Sequence, residues 1–328
     1  MLTATIPSYG GPEAIRIAEV PDPVPGPNEV LVRVRAAGLN RAELMQRAGK
    51  YPAPPGADNT RLGLEFAGVV EALGPGSTQW KAGDRVMGLV THGSQSQYVA
   101  IHERALAAVP ENLTDVEAGG TPEAFITAHD ALFTIGGLRP GTDVLVHAIG
   151  SGVSTSALQL AVAAGARVFG TARTAEKLER AEALGLAGGI DVSATPAFDE
   201  ELRSHTDGRG VDLVIDYVGV PYFDRNVRSL AYQGRLVLVG SLGGQHGEVN
   251  MAPALAKRLR IEGTTLRARP FEQRCAATQA FAREVVPLLA RGAVKPIVDC
   301  TFPLERLADA HRAMEANVNF GKIVIEIP

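Results

Sequence analysis

Val144-Leu145-Val146-His147-Ala148-Ile149-Gly150-Ser151-Gly152-Val153-Ser154, running on into Thr155-Ser156-Ala157-Leu158-Gln159-Leu160, is the stretch that decides the fold. An apolar strand enters a turn of small residues and leaves as a helix. Small residues let the backbone approach a pyrophosphate, and the helix start offers unbonded N–H groups and the positive end of its dipole. Gly150, Ser151, Gly152 and Val153 are therefore candidate phosphate contacts. The last glycine of the usual pattern is Ser154 here, and such a turn taken alone also suits any α/β protein.

Outward from this turn the chain alternates apolar strands with amphipathic helices. Strands are expected at Asp143–His147, Arg167–Thr171, Val211–Asp216 and Arg235–Val239, with helices near Thr155–Ala164, Ala175–Leu184 and Tyr222–Leu230. This βαβ alternation implies a parallel sheet covered on both faces. Arg258–Leu266 reads as its last strand, and Phe271–Ala290 as a helix leading to a closing strand, Lys322–Ile327. Before about residue 120 the pattern differs. Val30, Val32 and Val34 alternate with Leu31, Arg33 and Arg35, the period of a half-buried strand, and Leu64–Leu73 and Arg85–Val90 look alike. The loop Gly49-Lys50-Tyr51-Pro52-Ala53-Pro54-Pro55-Gly56 cannot be helical. The first domain is β-rich and barrel-like.

At 328 residues the chain calls for two domains rather than one core. A net charge of −4 argues against broad nucleic-acid binding. Cys275 and Cys300, the two cysteines, have neither metal-ligand spacing nor the makings of a disulfide framework. No signal peptide and no apolar run of roughly 20 residues is visible, so a cytoplasmic protein is expected. Serine-hydrolase, phosphate-loop and His-Glu-x-x-His motifs do not occur.

The end of the second strand selects the nucleotide. NAD-binding sites place a carboxylate there for the ribose 2′-hydroxyl. This chain has Ala172, then Arg173 and, four residues on, Lys177, a pair that attracts a 2′-phosphate and points to NADPH. Glu176 and Glu179 keep open an ordinary solvated helix start.

Taken together, these residues resemble a zinc-free quinone oxidoreductase of the medium-chain dehydrogenase/reductase superfamily, nearest its tumour-suppressor-inducible branch. The likeness runs through Gly38-Leu39-Asn40-Arg41-Ala42-Glu43, Arg47-Ala48-Gly49-Lys50-Tyr51-Pro52 and Gly63-Leu64-Glu65-Phe66-Ala67-Gly68. It continues through Pro122-Glu123-Ala124-Phe125-Ile126-Thr127-Ala128 to Asn319-Phe320-Gly321-Lys322-Ile323-Val324. It implies an α/β architecture: a GroES-like β-rich barrel domain (1–121), a Rossmann doubly wound parallel-sheet domain (122–266), and a return to the first (267–328). Zinc alcohol dehydrogenases carry Cys at the place of Asn40, His at that of Leu64 and a third ligand near Glu123. Asn and Leu cannot complete a tetrahedral zinc site, so no metal is expected.

The resemblance also assigns residues. Tyr51 and Asn40 would hydrogen-bond the acceptor or the nicotinamide ribose, although a tyrosine packed on prolines and a turn-forming amide remain open. Thr127 would meet the nicotinamide edge, unless it bonds its own helix. Gly240 and Ser241, in Gly240-Ser241-Leu242-Gly243-Gly244, would lie beside the nicotinamide, and that loop could also be a turn only. Leu266 is counted with the cofactor contacts, and Asn319 and Lys322 are placed near the adenosine phosphate. Val192 stands where relatives often have Tyr. The expected reaction is hydride transfer to a quinone or other conjugated carbonyl, in a cleft between the domains. Reduction of an enone or enoyl thioester, and a non-catalytic NADPH-binding redox sensor, are the alternatives. A homodimer through the edge strand Arg258–Leu266 is expected, since pairing removes an exposed edge.

Overall fold

In the computed structural model, which describes residues 1–328, Val144-Leu145-Val146 is an inner strand of a six-stranded parallel sheet. In chain order its strands are β1 Asp143–Val146, β2 Arg167–Ala172, β3 Gly188–Asp191, β4 Val211–Asp216, β5 Leu230–Leu238 and β6 Arg260–Gly263. They lie side by side as 3-2-1-4-5-6. Every residue of β1 is buried, as a strand covered on both faces requires. The connecting helices are α1 Gly152–Ala163, α2 Ala175–Glu182, α3 Phe198–Ser204 and α4 Val220–Ser229. Chain order reverses between β1 and β4, and doubly wound sheets bind ligands beyond the carboxyl ends of the strands at such a reversal.

Three details depart from the sequence pattern. β3 begins Gly188-Gly189, with no side chains to make a strand pattern. A Cβ at either glycine would come within 3.0 Å of Phe169 or Leu178, so β3 packs closely because it lacks them. β6 is four residues, not nine: Arg258 sits at φ 52°, in left-handed geometry, and Leu266 falls outside the sheet. The helix at Phe271–Ala290 breaks after Glu284, because Pro287 has no N–H to carry it on, and resumes at Val286.

The chain forms two compact units, Thr127–Thr265 holding this sheet and Met1–Ile126 with Leu266–Pro328 holding the other. The β-rich unit is organised around Glu29–Leu39, which buries Val30, Val32 and Val34 completely. It pairs with Glu65–Leu73, with Tyr98–His102 and with Lys322–Glu326, each antiparallel. Gly68 permits the first of these pairings, since a Cβ there would stand 2.2 Å from the Arg33 carbonyl oxygen. One core of Val, Ile, Leu and Phe side chains fills the unit, drawing Ile323, Ile325 and Ile327 from the far end of the sequence. No helix is long and apolar enough to cross a membrane.

Candidate functional site

The glycine-rich turn joins β1 to α1. Ser151 caps the helix: its Oγ accepts from Ser154 N at 3.2 Å and donates to Ser154 Oγ at 2.8 Å. Ser154, where a third glycine is usual, is fully buried and sends its hydroxyl to the His147 carbonyl at 2.9 Å. That bond satisfies the extra side chain. The first-turn N–H groups of Gly152 and Val153 have no intrahelical acceptor and are available to an anion.

Behind the turn lies His147, which the sequence reading passed over. Its ring bonds Thr171 Oγ1 of β2 at 2.9 Å and Asn226 Oδ1 of α4 at 2.7 Å. Burial pulls its pKa down to about 4, so a neutral ring ties β1, β2 and α4 together.

Ala172 is buried at the end of β2, Arg173 is exposed just beyond it, and Lys177 is half-buried in the first turn of α2. At the end of β4, Asp216 accepts from Val218 N at 2.7 Å and Gly219 N at 3.1 Å, and burial pushes its pKa up to about 6. Gly219, at φ 90°, pairs with Gly244, which brings the Gly240–Ser241 loop from the end of β5 beside this turn. A Cβ on Gly219 would stand 2.6 Å from the Gly244 carbonyl. Thr127 lies inside the Pro122–His129 helix, and its buried Oγ1 has no hydrogen-bond partner. Thr127 does not bond its own backbone; its hydroxyl is left for something else.

The β-rich unit holds a second group of polar residues, all buried. Lys322 Nζ donates to Leu39 O at 2.9 Å, Asn40 Oδ1 at 2.6 Å and Glu65 Oε1 at 2.6 Å. Asn40 Nδ2 donates to the same Glu65 oxygen at 2.9 Å, and Glu65 Oε2 accepts from Glu123 N at 2.8 Å. Two assignments change as a result. An ammonium has three protons, and those of Lys322 are spent inside the unit, so Lys322 is no contact for an adenosine phosphate. Asn40 is locked into the triad by both ends of its amide and positions neighbours rather than binding an acceptor. Asn319 donates to Gly321 O at 2.9 Å, closing its own turn. Leu266 is a buried residue of this unit, not the end of a sheet strand.

Glu43 adjoins the triad, fully buried, and burial first of all pushes its pKa up to about 8. Gln95 Nε2 donates to Glu43 Oε2 at 2.5 Å, and Asn40 N donates to Oε1 at 3.2 Å. Gln95 Oε1 has no partner as placed.

Tyr51 is half-buried on the proline-rich loop. Its ring lies under the Arg267 guanidinium, 5.2 Å from the centroid. Arg267, itself buried, donates to Thr91 O at 2.8 Å, Gln46 Oε1 at 2.8 Å and Tyr51 O at 3.4 Å. This buried arginine was also missed, since one Arg after a strand gives no pattern.

Known proteins bear on both units. Residues 26–111 match the alcohol dehydrogenase GroES-like domain, and 152–283 match the zinc-binding dehydrogenase domain. The rat synaptic vesicle membrane protein VAT-1 homolog is 34% identical over 334 residues, covering 97% of this chain and 82% of that protein. The chain belongs to the medium-chain dehydrogenase/reductase superfamily. Its β-rich unit is the GroES-like domain of that superfamily, and its parallel sheet is the Rossmann domain. Among solved structures, an NAD-dependent alcohol dehydrogenase aligns over 100% of both chains, with 34% identity and TM-score 0.90. A mycobacterial protein complexed with NADPH covers 99% of both at 30% identity, TM-score 0.89. A Pseudomonas syringae quinone oxidoreductase covers 99% of both at 29% identity, also with TM-score 0.89.

Medium-chain dehydrogenases as a group imply a dinucleotide and, in many members, zinc. The dinucleotide fits here: unbonded first-turn N–H groups, an exposed Arg173 and an orphaned Thr127 hydroxyl are complements to phosphate and amide groups. Zinc does not fit. Leu64 has no donor atom, the Asn40 amide oxygen is occupied by an ammonium, and no three His, Cys, Asp or Glu side chains gather as ligands.

Proposed function

We propose that this medium-chain family member moves a hydride from NADPH to a quinone or similar conjugated carbonyl acceptor, with no zinc in the reaction. The observation that carries this reading is the Lys322–Asn40–Glu65 triad, which fills the ligand region with a saturated hydrogen-bond network. Without a metal to polarise an alcohol, the favoured acceptor is one whose conjugated oxygen takes up charge readily.

Bound NADPH supplies the hydride; with one proton from solvent, a quinone leaves as hydroquinone. The residues of this chain orient the partners. The turn at Gly150–Val153 takes the pyrophosphate, and Arg173 with Lys177 takes the 2′-phosphate that the buried Ala172 does not repel. Gly240, Ser241 and the unpaired Thr127 hydroxyl meet the nicotinamide. Tyr51 donates its hydroxyl to the acceptor oxygen, and Arg267 fixes that ring and its backbone. Among the solved relatives one is named for NAD and one holds NADPH. The residues at 172, 173 and 177 favour the second.

NADPH and NADH consumption measured across quinones, enones, enoyl thioesters and simple alcohols tests the reading. Quinone turnover with NADPH that survives prolonged chelation is expected. Alcohol oxidation that needs stoichiometric zinc would overturn it, and no turnover with any acceptor would favour a cofactor-binding sensor.

A second copy is proposed to pair along β6. That strand bonds only β5, and Arg260, Glu262 and Gly263 stand exposed on it. Light scattering at micromolar concentration is expected to give twice the chain mass; the mass of a single chain would reject the pairing.

A further inference from the structure

The β-rich unit carries a cavity of about 310 Å³, at the lower end of the size range of small-molecule sites. Its walls are partly apolar, with Leu89, Val99, Ile101 and Phe271 among the lining residues, and the Phe271 ring meets His102 edge-on at 4.9 Å. Two guanidiniums, Arg61 and Arg274, line it as well. Neither forms a salt bridge.

Arg61 donates to Ser96 Oγ at 3.0 Å and to Thr3 Oγ1 at 3.4 Å, which leaves one terminal nitrogen uncommitted. It lies against Gly93, where a Cβ would stand 3.2 Å from the guanidinium carbon, so the missing side chain makes its berth. Arg274 makes one long bond, to Arg267 O at 3.5 Å. A third guanidinium, Arg267, holds Thr91 O, so the Thr91-His92-Gly93 wall is ringed by arginines. Burial, then the fields of Arg61 and Arg267, hold the His92 ring below its usual pKa despite Asp58. Glu29, the carboxylate in the wall, accepts from Gly26 N and offsets part of the charge. Arg61 has the Asp58 carboxylate in its field but no ion pair, Arg274 has no carboxylate beside it, and a planar fork of donors above apolar walls matches one ligand chemistry.

We propose that this cavity binds a small monocarboxylate with an aromatic or aliphatic body, its carboxylate on Arg61 and Arg274. Three guanidiniums, Arg61, Arg274 and Arg267, face two carboxylates, Glu29 and Asp58, which leaves room for a single negative charge, and the apolar wall takes the body. The site is a property of the GroES-like unit and does not depend on which acceptor the protein reduces.

Calorimetric titration of the full chain with sodium benzoate at constant chloride tests this. Saturable one-to-one binding is expected, with Kd at or below about 1 mM. Arg274→Gln and Arg61→Gln should each weaken it roughly 10-fold or more, and benzyl alcohol, which has the ring but no charge, should bind far more weakly. Because Arg61 also holds Ser96, its variant can lose stability. Arg274, with its single long bond, then decides alone, with an unchanged melting temperature as the check on folding. No saturable heat up to about 10 mM, equal affinity in Arg274→Gln, or benzyl alcohol binding as well as benzoate would each overturn the proposal.

Discussion

Two clusters of polar groups, one in each unit, are used in opposite ways. In the GroES-like unit Lys322, Asn40 and Glu65 consume one another's donors and acceptors. At the carboxyl ends of the Rossmann strands the groups are left open: the first turn of α1, the Arg173 side chain, the Thr127 hydroxyl. A saturated network is architecture, and an unsaturated one is a request for a ligand. If that contrast holds, substitutions in the first should alter stability, and substitutions in the second should alter binding.

The largest effect should come from Lys322→Met. It strands a Glu65 carboxylate with no exposed surface and should cost about 3–5 kcal/mol in urea unfolding. A variant as stable as the parent would show that the triad is not structural. Next comes Arg173→Ala, on an exposed side chain. It should weaken NADPH by roughly 1.5–3 kcal/mol in fluorescence titration and leave NADH binding and the melting temperature alone. Equal loss for both nucleotides would remove the 2′-phosphate role.

A smaller effect should appear in the pH dependence of stability. Folding raises the Glu43 pKa from 4.5 to about 8, so its contribution is complete below the lower value and fades as pH rises toward the upper. His147 and His311 are pulled down from 6.5, to about 4 and about 3, and oppose folding only below 6.5. Asp216, raised from 3.8 to about 6, has lost its share by then. From pH 6.5 to 8 stability should therefore fall by up to about 1.4 kcal/mol per pH unit, and Glu43→Gln should flatten the curve. A slope that persists in the variant would place the proton elsewhere.

The smallest effect expected is that of Tyr51→Phe. It keeps the ring under Arg267 and deletes one hydroxyl, so kcat/KM for quinone should drop about 10-fold while NADPH affinity stays put. Weaker NADPH with unchanged turnover would move Tyr51 to the cofactor side.

Much of this was legible in sequence because it follows from periodicity and turn chemistry. Val211–Asp216 is a strand over the span its pattern outlines, and the turn at Gly150–Val153 opens a helix as its small residues require. β3 escaped because a Gly-Gly start carries no pattern; its reason is the packing of Phe169 and Leu178. The clamping of Asn40 by Lys322 escaped for a different reason. Their partners stand far along the chain, and no local spacing tells that an amide will be clamped by an ammonium 282 residues on. His147 and Arg267 were hidden likewise, since burial is a tertiary fact.

The antiparallel pairing of Lys322–Glu326 with Glu29–Leu39 also orders events on the ribosome. The Rossmann unit is one continuous segment and can close as soon as it emerges. The GroES-like unit, although most of its strands are made before the Rossmann segment, waits for one made after it. From Ile126 to Glu326 is about 200 residues, or about 10–40 s of synthesis at roughly 5–20 residues per second. For that interval the Ala36–Leu39 end of the strand has an open edge and Glu65 no ammonium, so this part of the nascent chain has need of a chaperone.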